Sequence, residues 1–140
     1  MNLQLEIALR LVMAALLGAA IGYQRERAKK PAGFRTHALV ALGVAVFTIV
    51  SVHGFGAGVV DPSRVAARVA AGVVTGIGFI GAGAIVRAQR ADIVVGITTA
   101  ASIWTVAAIG MATALGMYVI AAVSAALCFL ILAIHPSFRD

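Results

Sequence analysis

From Gly96 to Ile134 the chain carries no charged residue, and this stretch limits the folds open to it more than any other feature. As one helix at 1.5 Å per residue it would be roughly 58 Å long, about twice the ~30 Å thickness of a hydrocarbon layer. It therefore has to fold back on itself. Gly110 and Gly116 bracket the expected hairpin, because glycine accepts backbone angles that other residues resist and weakens a helix interior by about 1 kcal/mol. Two helices result, over residues 96–114 and 116–134, the second ending just before Pro136. No charge marks the turn, so four spans with a re-entrant segment is the competing arrangement.

Three more apolar runs precede this one, over residues 7–23, 37–52 and 65–86, each near the ~20 residues a spanning helix needs. With 62% hydrophobic and 11% charged residues, the chain has too little polarity to cover a water-facing surface. The expected fold is all-α, a polytopic transmembrane bundle of five spans forming one domain over residues 1–140. The first run is expected to be a retained helix rather than a cleaved leader, since Glu6 precedes it and the positive charge follows it. Cys128 stands alone inside an apolar run, which leaves no internal disulfide and no thiolate cage.

Orientation follows from the basic residues. Arg25, Arg27, Lys29, Lys30 and Arg35 cluster in the first loop, Arg87 and Arg90 in the third, and Arg139 in the tail, so these segments are expected in the cytoplasm, N-terminus out and C-terminus in. The net charge of +6 is spent at span ends rather than on a basic stripe interleaved with aromatics, a pattern that argues against nucleic acid and for lipid headgroups.

The residues able to carry chemistry are few. Gly76, Gly78, Gly81 and Gly83 formally match a dinucleotide fingerprint, but they lie within a bilayer-length apolar segment rather than between a strand and a helix. They read instead as a close-packing face, Gly72 and Gly76 giving the GxxxG spacing, or as a loosened mid-membrane segment of the kind transporters use. In the first loop Arg25 and Glu26 precede a Pro31–Gly33 turn, Thr36 is placed to cap the second helix, and Arg35 and His37 lie at the membrane edge within reach of other helices. Glu6 and Arg10 are spaced for an ion pair on the first helix, and Asp61, Arg64 and Arg68 could extend that pair into a network shared with the third. Asp92 precedes the fourth helix, where Thr98 and Thr99 can cap or bond to a neighbour, and Trp104 reads as core packing. His53 and His135 fall at span ends. The five acids are scattered along the chain, so neither a metal site nor a cofactor site is expected, and no catalytic signature points to an enzyme.

Three ordered segments, Pro31–His37 with Ala38–Gly43, Gly76–Gly83, and Gly96–Trp104 followed by Ala107–Gly110, closely resemble the transmembrane domain of the MgtC/SapB family. The chain departs from the family pattern at Gln24, where an acid is usual, and at Gly72, where a glutamine is usual. Many relatives also carry a soluble domain after the fifth helix, and the tail ending at Asp140 is expected to lack it. The resemblance implies a multi-pass protein of the bacterial inner membrane with a role in adaptation to low magnesium and, in some pathogens, virulence. It also implies a regulator of other membrane complexes, the ATP synthase among them. Two functions follow as expectations. One is a regulatory or interaction protein working through small-residue faces of the third and fourth helices, with a homodimer as the first assembly to test. The other is a small oligomeric transporter or channel using Arg35, Arg68, Asp92 and the glycine-rich segment, with arginines favouring anions.

Overall fold

A computed structural model of the chain describes residues 2–54, 61–86 and 95–134. These form five helices: α1 (Leu3–Arg27), α2 (Phe34–His53), α3 (Pro62–Val86), α4 (Ile97–Ala114) and α5 (Tyr118–Ala133). The first four are long and apolar enough to cross a membrane, whereas α5 is equally apolar but 16 residues long. All five expected segments are helical. α1 runs past its apolar stretch at both ends, because the flanking Leu, Gln, Glu and Arg residues are good helix formers and long basic side chains can reach a polar boundary from inside a span.

Cross-helix contacts fix the directions. Ala14 shares a cluster with Ile49, and Gly22 lies on Gly33 and His37, so α1 and α2 are antiparallel. His37 meets Ser102 and Ala45 clusters with Ala114, so α2 and α4 run parallel. Gly81 meets Ala100 and Ile77 packs with Ile103, which makes α3 antiparallel to α4. At the α4–α5 turn Gly116 lies against Arg10, and thirteen residues further on Phe129 accepts a hydrogen bond from Gln24, so α5 follows α1 along most of its length. The last pair of contacts argues against a re-entrant fifth segment. Successive helices therefore alternate in direction, as five consecutive crossings require.

α4 is the hub and touches every other helix; α3 is peripheral and, among the described residues, touches only α2 and α4. Buried residues make up 56% of α4 but 11% of the spanning stretch of α3. This corrects the expected role of the glycine-rich helix within the bundle. A Cβ at Gly72, Gly76, Gly78 or Gly83 would meet no atom within 4 Å, and only Gly81 packs closely, with Ala100 Cβ 3.5 Å from the position a Cβ would take. The close glycine contacts lie elsewhere. A Cβ at Gly18 would sit 2.5 Å from the His37 carbonyl oxygen, and one at Gly22 would sit 2.6 Å from that of Gly33, so a GxxxG pair on α1 seats α2 directly.

Two helix starts also differ from expectation. α2 begins at Phe34, which places Thr36 inside the first turn, and the cap position falls to Gly33. α4 is capped by neither Thr98 nor Thr99: Gly96 precedes it with φ 94°, a left-handed conformation that costs glycine little, and no side chain caps the turn among the described residues.

Candidate functional site

Where α1, α2 and α4 converge, four polar side chains are buried together. Arg25 on α1 is 5% exposed, His37 on α2 0%, and Thr99 and Ser102 on α4 are 2% and 3%. Helical register turns Arg25 inward, since Gly18, Ile21, Gly22 and Arg25 lie on one buried stripe of α1 while Tyr23, Glu26 and Arg27 are exposed. On α2 the buried stripe runs through His37, Ala41, Val44, Ala45 and Thr48.

The hydrogen bonds link three helices. Arg25 Nη2 donates to Thr99 Oγ1 at 2.8 Å, and the Ser102 hydroxyl donates to the Thr99 carbonyl at 2.8 Å. His37 Nδ1 lies 3.0 Å from the Gly33 carbonyl and Nε2 lies 3.0 Å from Ser102 Oγ. The carbonyl can only accept, so Nδ1 carries a proton. If Nε2 is also protonated it donates to the Ser102 oxygen, and the Ser102 hydroxyl donates to the Thr99 carbonyl. If Nε2 is bare, Ser102 must donate to it and release the Thr99 carbonyl. One hydroxyl thus couples the charge of His37 to the first turn of α4.

Both ionisable members of the cluster are basic. A guanidinium costs roughly 2.5–3.5 kcal/mol in the middle of a span, less near its end, and one hydroxyl partner in a membrane returns about 0.6 kcal/mol. Among the described residues Arg25 has no carboxylate partner, and its Nε has no hydrogen-bond acceptor. The adjacent Gln24 donates to the Phe129 carbonyl at 3.1 Å and leaves its own Oε1 buried without a donor.

The remaining expected residues divide. Glu26 is exposed and accepts the Phe34 backbone N–H at 2.9 Å, while Arg35 is exposed beside it on the rim of an open cleft with Tyr23, Arg27 and Phe34. At the opposite end of the bundle, Glu6 pairs with Arg10, and Arg10 Nη1 donates to the Ala114 carbonyl at 2.7 Å, joining the start of α1 to the end of α4. The expected network between this pair and α3 does not form: α1 and α3 do not touch, Arg64 pairs with Asp61 at 3.4 Å, and Arg68 is exposed. Trp104 is 52% exposed and faces away from the core, against the packing role expected of it. Asp92, with Arg87, Arg90, His135 and Arg139, lies outside the described residues. Among the described residues no three His, Cys, Asp or Glu side chains gather as a metal site would require.

A model of the MgtC family matches residues 11–140. YhiD of Escherichia coli K12, described by its name as a candidate magnesium transporter, is 46% identical over 136 residues, which is 92% of this chain and 60% of YhiD. SapB of Bacillus subtilis is 36% identical over 136 residues, 93% of this chain and 56% of SapB. MgtC of Salmonella typhimurium LT2 is 45% identical over 101 residues, 72% of this chain and 40% of MgtC. The chain thus spans 60% of YhiD and less of the other two. No solved structure matches it.

Proposed function

The chain belongs to the MgtC family, and from that premise we propose that it is a non-enzymatic regulatory and interaction protein of the bacterial inner membrane, acting in adaptation to low magnesium. It works by helix-to-helix contact. The observation that carries this reading is the bare face of α3, a helix that touches two neighbours in the bundle and leaves Gly72, Gly76, Gly78 and Gly83 in open space. Lipid chains are as apolar as leucine, so association in a bilayer depends on close backbone approach, which small residues permit. A second copy of the chain is the first occupant to test, and larger membrane complexes are the second. In this reading the first loop faces the cytoplasm, and a part in virulence follows where the host is a pathogen.

Gly76→Leu and Gly83→Leu test the face, since neither position packs inside the bundle and insertion should be unaffected. Cysteine crosslinking in native membranes should lose the associated species in both variants; association at wild-type yield would remove α3 as the contact. Gly81 is a poor probe because it packs on Ala100. In a deletion strain at limiting magnesium, the wild-type gene should restore growth and ATP level and the Gly76→Leu gene should not.

Transport is the second reading, favoured by the name that the Escherichia coli relative carries. The buried polar cluster is cationic, which opposes a magnesium route through it. Proteoliposomes under an imposed gradient should pass no magnesium, phosphate or protons, and a flux above empty vesicles would replace the regulatory reading with this one.

A further inference from the structure

The first turn of α4 and the Arg25 guanidinium present two positive ends to each other. Ile97, Thr98 and Thr99 open an 18-residue helix that no side chain caps among the described residues; their N–H groups have no intrahelical acceptors and carry the positive end of the helix dipole. Arg25 reaches across from α1 to donate to Thr99 Oγ1, in that same turn. The C-terminal carbonyls of α1 supply little relief, because Gln24, Arg25 and Glu26 already accept from the backbone N–H groups of Ala28, Lys30 and Lys29. Like ends brought together in a buried setting repel unless an anion joins them.

The geometry around this point suits an anion with several oxygens. Gly96 is left-handed and Ile97 right-handed, an alternation that turns successive N–H groups toward one concave spot. Arg25 is 5% exposed with its Nε unpartnered among the described residues, while Ile97 and Thr98 in the same turn as Thr99 are exposed. A planar fork of donors beside a helix N-terminus suits an oxyanion better than a halide, and a phosphate group has oxygens enough for both the fork and the helix N–H groups. The turn also lies at the end of the bundle that carries Arg27, Lys29, Lys30 and Arg35, where lipid phosphates would lie.

We propose that Arg25 and the uncapped first turn of α4 form a binding site for a phosphate group, carried by an anionic lipid headgroup or by free phosphate. Unfolding of the whole chain in a neutral detergent, followed by the fluorescence of its single tryptophan, Trp104, tests this. Near-saturating ligand should raise the midpoint by about 5 °C. A rise with sodium phosphate over sodium chloride at matched ionic strength identifies the free ion as a ligand, and a rise only with phosphatidylglycerol over phosphatidylcholine identifies the lipid. Arg25→Met should lose the rise and unfold no earlier than ligand-free wild type, because it removes an uncompensated charge. If Arg25→Met does not fold, native mass spectrometry of the wild-type chain decides, with a retained phosphate or phosphatidylglycerol adduct supporting the site and a bare chain overturning it. The proposal is also overturned if chloride matches phosphate and phosphatidylcholine matches phosphatidylglycerol, or if folded Arg25→Met keeps the full rise. An anion effect seen only in Asp92→Asn would overturn it too, by making Asp92 the resident counter-ion.

Discussion

The carboxylate of Glu26, near the end of α1, accepts the backbone N–H of Phe34, the first residue of α2, at 2.9 Å. Glycine at the cap position offers no side-chain oxygen, so the preceding helix supplies it, and the contact sets the angle at which α2 leaves the loop. A Cβ at Gly33 would lie 2.8 Å from the same carboxylate. Glu26→Ala should lower stability by about 1 kcal/mol, as loss of a helix cap does, and Glu26→Gln should recover part of it through its amide oxygen. Unfolding with increasing sodium dodecyl sulfate would measure both.

Glycine substitutions should separate the bundle's real seams from its bare face. At Gly22 a methyl would meet the Gly33 carbonyl oxygen at 2.6 Å and Phe34 Cα at 2.8 Å, both backbone atoms that cannot rotate aside. Gly22→Ala should cost about 1–3 kcal/mol by overpacking. Gly43→Ala and Gly72→Ala meet nothing within 4 Å and should be neutral or gain up to about 1 kcal/mol from helix propensity. The same detergent titration distinguishes them, and equal effects at all three positions would show that α1 and α2 do not pack through Gly22.

How far the sequence reveals this fold depends on which physical signal each feature leaves. Long apolar runs and their basic flanks locate all five helices, because length and hydropathy alone determine what crosses a bilayer. They do not say which face meets which. The glycine pattern on α3 draws the eye by density, yet the Gly18–Gly22 pair seats α2 because its stripe continues into Ala14, Ile21 and Arg25. That stripe, at spacings of three and four, was the available signal for the burial of Arg25; charge alone made it one more residue of a positive loop. Ser102 offered no such signal, since a serine in an apolar helix can equally bond back to its own turn, and here it does so as well as meeting His37.

At the start of α3 a pH dependence follows from Asp61. The Ser63 hydroxyl, followed by the backbone N–H groups of Arg64 and Ser63, holds the Asp61 carboxyl below the usual carboxylate range. A folded-state value below the unfolded one means that the cap's contribution is fully present above the unfolded value, near pH 3.9, and is lost as pH falls through the folded value. Hydrogen exchange in the first turn of α3 should therefore be flat from about pH 5 to 8, after correction for intrinsic rates, and should accelerate below about pH 4. Asp61→Asn should remove the acid step. A step near neutral pH would assign the effect to another group.

Ser102 should matter more than its size suggests, because two acceptors compete for its single proton, His37 Nε2 in one protonation state and the Thr99 carbonyl in the other. Ser102→Ala leaves a fully buried imidazole nitrogen without a partner and should cost about 1–3 kcal/mol, the penalty for stranding a buried polar group. His37→Leu should cost less, about 0.5–1.5 kcal/mol for the lost hydrogen bonds, because the Gly33 carbonyl keeps the backbone N–H of residue 37 and the Ser102 hydroxyl keeps the Thr99 carbonyl. The two losses share one contact, so the double variant should fall short of their sum by at least about 0.5 kcal/mol. Strict additivity in a double-mutant cycle would mean that the 3.0 Å contact between His37 and Ser102 contributes nothing to joining α2 to α4.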